Sequence, residues 1–247
     1  MIEFRSLCKK FGTQEVLNDV TLKIENKQVQ FIIGMSGAGK SVLVKHVVGL
    51  LRADSGEIYL DGEEISRLRE RDFFRIREKC GMVFQNPTLF DGLSIRENIA
   101  MPLRKRWRGN KKAANDLADE ALDLVHMSAY GDTMPFVLGA GLKKRAAIAR
   151  ALALKPQYLI YDEPTTGLDP LNARRTDALI KEMAQTTGIT SIVVSHDLRS
   201  ITDVATQVAL LHERKLRFVG TPQMLKASAD PVVQQFISGS AMGPIHE

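Results

Sequence analysis

The period of hydrophobic and polar positions changes several times along the chain, and each change marks an element. Apolar and polar residues alternate at Ile2-Glu3-Phe4 and through Val20-Thr21-Leu22-Lys23-Ile24, the pattern of half-buried strands. Residues 29–33 are apolar apart from Gln30 and predict a buried strand. Residues 41–51 carry a helical apolar run, 52–62 a turn and a short strand, and 67–79 a charged stretch of helical character. Gly81-Met82-Val83-Phe84 predicts a short strand that Asn86-Pro87 stops, and residues 113–125 and 142–154 predict helices, the second ended by Pro156. Tyr158-Leu159-Ile160-Tyr161 and Ile192-Val193-Val194 are continuous apolar runs suited to a parallel sheet. Strands alternating with helices predict an α/β fold with ligands at the carboxyl ends of the strands. The small polar stretch 238–247 has little to bury and is expected to be a loose, flexible tail.

Composition narrows the class without naming it. At 247 residues, 44% hydrophobic and 26% charged, the chain can bury a sizeable core behind a solvated surface. No run of about eighteen apolar residues occurs, so no membrane span is expected, and residues 1–5 lack a signal-peptide pattern. Cys8 and Cys80 have no metal-type spacing and suggest a reducing compartment; the five histidines show no paired spacing for zinc. The net charge of +5 permits an anionic partner without requiring one. The densest basic run, 104–112, reads as a solvated face, with contact to anionic lipid or a partner through Trp107 as the alternative.

The chemistry starts at Gly34-Met35-Ser36-Gly37-Ala38-Gly39-Lys40-Ser41, a G-x-x-x-x-G-K-S loop between a predicted strand and a predicted helix. Its glycines let successive backbone N–H groups converge on an anion, and the helix N-terminus adds positive potential. Lys40 is expected to reach the β- and γ-phosphates of a nucleotide, and Ser41 to ligate Mg²⁺. Three more strand ends carry candidates. Asp162 suits Mg²⁺, Glu163 suits a general base toward water, Gln85 suits both Mg²⁺ and water, and His196 suits the γ-phosphate. Phe11, beside Gly12 at a turn, is either a purine-stacking aromatic or a core residue.

Taken in order, this loop, Gln85, Tyr161-Asp162-Glu163-Pro164-Thr165, Gly167-Leu168-Asp169-Pro170 and Ser195-His196-Asp197 resemble the ATP-binding subunit of an ABC transporter, over about residues 2–225. The resemblance implies a P-loop NTPase core with a parallel sheet, an antiparallel β-subdomain and a helical subdomain at about 88–154, within a single domain over 1–237. It implies ATP and Mg²⁺ as ligands, Phe11 as the adenine-stacking residue, Val42 as part of the nucleotide site and Asp169 in the loop that crosses a homodimer. The basic middle segment would meet the permease. Residues 34–46, 88–103 and 230–237 resemble the Mla/MCE lipid-transport ATPases. That likeness implies a peripheral subunit on the cytoplasmic face of the inner membrane that drives phospholipid transport across the bacterial envelope. Its partners would be a permease, an MCE-domain protein and a STAS-domain protein, with no nucleic acid.

One departure bears on activity. The family signature, Leu-Ser-Gly-Gly followed by Gln or Met, falls on Leu138-Gly139-Ala140-Gly141-Leu142. The serine hydroxyl is missing, and Ala140 adds a Cβ where glycine allows close approach to phosphate. A lost hydrogen bond to a charged group is worth ~1.5–3 kcal/mol. The departure keeps open an ATP-dependent regulatory module with weak turnover. An importer ATPase for a small polar solute is the third reading.

Overall fold

The computed structural model describes residues 1–106 and 110–245. Strands β1 (Ile2–Phe11) and β2 (Gln14–Ile24) lead into β3 (Val29–Ile33), α1 (Lys40–Val47), β4 (Ser55–Leu60) and β5 (Glu63–Glu64). After a 3-10 turn come α2 (Phe73–Lys79), β6 (Cys80–Val83), α3 (Ile95–Arg106), α4 (Lys111–Leu124) and α5 (Ala140–Leu152). The chain continues through β7 (Tyr158–Asp162), α6 (Pro170–Thr187), β8 (Thr190–Val194), α7 (Leu198–Val204), β9 (Gln207–His212) and β10 (Lys215–Gly220). It ends with α8 (Pro222–Lys226) and α9 (Pro231–Ser238). These elements form two compact units, Met1–Ile76 with Thr190–Glu247, and Arg77–Ile189.

In the first unit, β2, β1, β4 and β5 make an antiparallel sheet, with Ile2 opposite both Ile24 and Leu60. The alternation seen in the sequence puts Ile2, Phe4, Val20, Leu22, Ile58 and Leu60 in the core. Strand β3 lies between β8 and β9 and is parallel to both, and β10 closes antiparallel on β9. Every residue of β3 and β8 is buried, which explains their largely apolar make-up. Gln30, the one polar residue in β3, turns its amide back to the Phe31 carbonyl at 2.9 Å. Residues 238–247, expected to be loose, begin inside α9. The Gln235 amide then holds Ser240 and Ile245 through their backbones.

In the second unit, β6 and β7 run parallel in register from Cys80 opposite Tyr158 to Val83 opposite Tyr161. Helices α3, α4 and α5 pack on one another, and α5 also packs on β6 and α6. Helix α3 lies where the sequence pattern predicts no element. Pro102 sits inside it, yet Ile95, Ile99, Ala100 and Leu103 form a buried face. The fully buried Asn98 amide ties the helix start to the carbonyls of Phe90, Leu93 and Ser94. Three boundaries shift from expectation. Helix α1 stops at Val47, ahead of Gly49 with φ +68°, and the charged stretch 67–79 is helical only from Glu70. Helix α5 begins two residues early, at Ala140. Within the basic run 104–112, Trp107, Arg108 and Gly109 lie outside the described residues; Lys111 and Lys112 open α4, which the Asn110 side chain caps.

Candidate nucleotide site

In the first unit, the phosphate-binding candidates stand at the carboxyl ends of two neighbouring parallel strands. Strand β3 runs into Gly34, and β8 runs into Ser195 and His196, with the Ser195 N–H donating to the Ile32 carbonyl at 3.2 Å. Gly34 is fixed by its surroundings: a Cβ there would fall 2.3 Å from the Leu211 carbonyl oxygen, at a φ of +151°. Met35, Ser36 and Gly37 are exposed, while Gly39 and Lys40 are buried. Lys40 donates to the carbonyls of Gly34 at 3.0 Å and Met35 at 2.9 Å, so its ammonium sits inside the loop. Gly39 caps α1 with φ 100° and no side-chain hydrogen bond. Ser41 and Val42 follow in the first turn. The exposed residues of this loop, with Ala38, border a cleft of about 250 Å³ shared with Gln14, Val16, Arg214 and Ile245. Phe11 ends β1 half-exposed, with the Lys9 ammonium 5.2 Å from its ring centroid. His196 is exposed just ahead of α7, whose N-cap is Asp197.

The second unit repeats the arrangement with acidic chemistry. Strand β6 ends just before exposed Gln85, and β7 delivers buried Asp162 and then half-buried Glu163. Glu163 holds a left-handed backbone, φ 49°, and its Oε2 accepts the Thr166 hydroxyl at 2.9 Å. Asp169 caps α6; its carboxylate takes the Asn172 backbone N–H at 2.9 Å and the Asn172 side-chain amide at 2.6 Å. Those two bonds hold the Asp169 carboxyl below the ordinary aspartate range. Gly139 and Ala140 are exposed at the start of α5. Gly141 is buried against Asn172, whose Oδ1 would lie 2.6 Å from any Cβ at that position.

Helix N-termini sort by their caps. Asn110, Asp169, Asp197, Thr221 and Asp230 each accept a backbone N–H at the start of their helix. Gly39 of α1 and Gly139 of α5 supply no side chain. An anion at either end would complete a helix that its own sequence leaves uncapped. The oxygen donors Ser41, Gln85 and Asp162 suit a hard cation such as Mg²⁺, which keeps several waters and phosphate oxygens among its ligands. Among the described residues no cluster of three or more His, Cys, Asp or Glu could hold a metal ion.

Sequence reasoning did not single out Thr166, Asn172 or Lys144. Lys144 is 2% exposed, and its ammonium donates to the Gln85 carbonyl at 2.5 Å and the Phe84 carbonyl at 3.4 Å. Burial pulls it down to about 8, against the attraction of Asp162. Thr166 could have been suspected from its place three residues after the candidate base. Nothing local marks the other two.

Comparison with known proteins fits this geometry. Residues 17–166 match the family model for ABC transporters. The chain is 34% identical over 245 residues to the intermembrane phospholipid transport system ATP-binding protein MlaF of Haemophilus influenzae, covering 99% of this chain and 93% of that one. It is 35% identical over 244 residues to the probable ribonucleotide transport ATP-binding protein mkl of Mycobacterium leprae, covering 99% of this chain and 70% of that one. Among solved structures, the ATP-binding cassette MJ0796, a dimer in a post-hydrolysis state bound to ADP and Pi, superposes with a TM-score of 0.81 at 28% identity. That match covers 90% of this chain and 99% of the other. No helix among the described residues is long and apolar enough to cross a membrane. With a candidate phosphate loop after one strand, a paired Asp-Glu at the end of another and relatives matched along nearly all of this chain, the chain belongs to the ABC transporter family, as its nucleotide-binding, ATP-hydrolysing subunit.

Proposed function

We propose that this subunit powers phospholipid movement across a bacterial cell envelope, on the cytoplasmic face of the inner membrane. It works as a homodimer bound to a permease, with MCE-domain and STAS-domain proteins in the same assembly. The observation that carries the reading is the alignment with MlaF along almost its whole length. Helices α3, α4 and α5 serve as the helical subdomain that meets the permease, with the basic residues Lys111 and Lys112 at the start of α4.

The residues divide the reaction among them. The loop Gly34, Met35, Ser36, Gly37, Ala38 and Gly39 presents backbone N–H groups to the phosphates, and Lys40 exchanges loop carbonyls for phosphate oxygens. Phe11 stacks on the adenine. Ser41, Gln85 and Asp162 would hold Mg²⁺, which would supply positive charge beside the phosphates. Glu163 takes a proton from the attacking water, held in place by Thr166. His196 donates to the γ-phosphate, and Gly139, Ala140 and Gly141 approach the nucleotide of the opposite subunit at the N-terminus of α5. Asp169 shapes the crossing loop through its hold on Asn172.

Steady-state phosphate release tests the chemistry. Glu163→Gln should keep ATP binding and slow turnover about a hundredfold or more, because the amide cannot act as a base. Parental turnover would remove Glu163 from the role. For the cargo, the subunit and its permease in proteoliposomes should move fluorescent phosphatidylethanolamine only with ATP. ATP-driven uptake of a ribonucleotide, with no lipid movement, would replace the lipid reading by the solute one. The second reading, a regulatory module of weak turnover, is favoured by Gly139 and Ala140 in the signature and gains if purified dimers bind ATP without releasing phosphate.

A further inference from the structure

Helix α5 grips the segment after β6 with two cations. Lys144, in its second turn, takes the carbonyls of Phe84 and Gln85. Arg150, six residues on, takes the Pro87 carbonyl at 3.0 Å, and the Thr88 carbonyl and hydroxyl at 2.8 and 3.0 Å. Four backbone carbonyls within residues 84–88 are thereby fastened to one helix. The segment has no ladder of its own, and Thr88 is left-handed at φ 49°. The cations substitute for the missing backbone partners.

Lys144 is the unusual member. Long ammonium side chains are almost never fully buried unless paired. A neutral donor could satisfy one carbonyl without the desolvation that a buried charge incurs. The ammonium does more: it joins the Gln85 backbone to helix α5 while the Asp162 carboxylate attracts it. Asp162 ends β7, whose partner β6 leads into Gln85, so the cation stands among the backbone of one candidate Mg²⁺ ligand, the charge of another and the helix that begins at Gly139 and Ala140.

We propose that Lys144 is a positioning residue for ATP hydrolysis, fixing the Gln85 backbone to the signature helix and so setting where the Gln85 side chain stands. The proposal rests on the reading of Gln85 as a contact to Mg²⁺ and the attacking water. Lys144 is buried and donates to the Phe84 and Gln85 carbonyls, so it acts through that backbone. Its effect passes through Gln85, so it belongs in kcat and leaves ATP affinity alone.

The test uses the full-length chain and MgATP. Lys144→Met keeps the length of the side chain and removes the ammonium. It should lower kcat about tenfold while KM stays within about twofold. ATP affinity measured in a Glu163→Gln background should be unchanged, and Lys144→Arg, which restores a cationic donor, should recover most of kcat. Gln85→Ala should be slow by itself, and adding Lys144→Met to it should slow turnover no further, because both act through one contact. Where Lys144→Met does not fold, Lys144→Gln carries the same comparison. A folded variant with parental kcat overturns the proposal, as does a drop that multiplies with that of Gln85→Ala or one shared equally by KM. Gln85→Ala turning over at the parental rate would bring down the reading of Gln85 and this proposal together. A slow Gln85→Ala beside a fast Lys144→Met would bring down this proposal alone.

Discussion

Two helix N-termini, those of α1 and α5, are built on one plan and finished differently. Each starts at a glycine that offers no side-chain cap, while Asn110, Asp169, Asp197, Thr221 and Asp230 cap other helices with an oxygen. At α1 the loop adds everything a phosphate needs: Gly34 wedged under the Leu211 carbonyl, a left-handed Gly39 and an ammonium held inside the loop. At α5 the preceding residue is an extended Gly139 with no hydroxyl, and Ala140 carries a Cβ into solvent. On the proposed reading the first end binds phosphate by itself. The second offers little beyond its helix dipole and backbone N–H groups, so its contribution depends on how closely a second subunit approaches.

The sharpest way to break the comparison is at α1. Lys40→Ala should weaken ATP binding about a hundredfold, since charge-assisted hydrogen bonds to the phosphates disappear while the helix end remains. Calorimetry with unchanged affinity would mean that both ends work by helix dipole alone. A smaller effect belongs to α5. Gly139→Ser with Ala140→Gly should raise phosphate release, or tighten ATP-driven dimers, by roughly tenfold. The structure has room for the change, because a Cβ at Gly139 meets nothing within 4 Å. Neighbouring substitutions in one loop need not add, so the double variant is the informative one. No gain in rate or dimerisation would show that the existing N-terminus already suffices, and the regulatory reading would lose its main support. The smallest effect is on stability. Gly139→Asp supplies the missing cap and should raise Tm by about 1 °C, as replacing a glycine cap gains only a few tenths of a kcal/mol. Its charge should also lower ATPase activity by facing the phosphate. A gain in Tm without that loss would place the α5 end away from the nucleotide.

Much of this was legible in the sequence where chemistry and geometry are local. A phosphate loop needs its glycines at fixed spacing, so Gly34 through Ser41 stand out as a candidate, and the apolar runs of β3, β7 and β8 lead into Gly34, into Asp162 and Glu163, and into Ser195 and His196. Helices α3 and α6 were not legible for different reasons. Pro102 and the basic residues after it mask the buried face of α3, which tertiary packing rescues. Helix α6 opens with Asp169-Pro170, a cap and first-turn pair that reads equally as the end of a motif loop. Lys144 and Asn172 escaped because their partners are distant: Gln85 is 59 residues from Lys144, and Asn172 covers Gly141 from another helix. Charge and helix propensity alone make Lys144 look like a solvated residue, and only packing reveals it as a buried one.

The left-handed backbone at Glu163 has a consequence for how such a subunit can decay. A residue with a Cβ in that conformation is strained by about 1–2 kcal/mol relative to glycine, and Asn tolerates it better than Glu. Selection for folding alone would therefore let this position drift toward Gly or Asn, and only selection for turnover opposes it. In a lineage where the ATPase fell silent, the carboxylate at this position would be among the first features to erode, well before the phosphate loop. On the proposed role of Glu163 as the base toward water, a strained glutamate here beside an altered signature is what a subunit selected for turnover would keep.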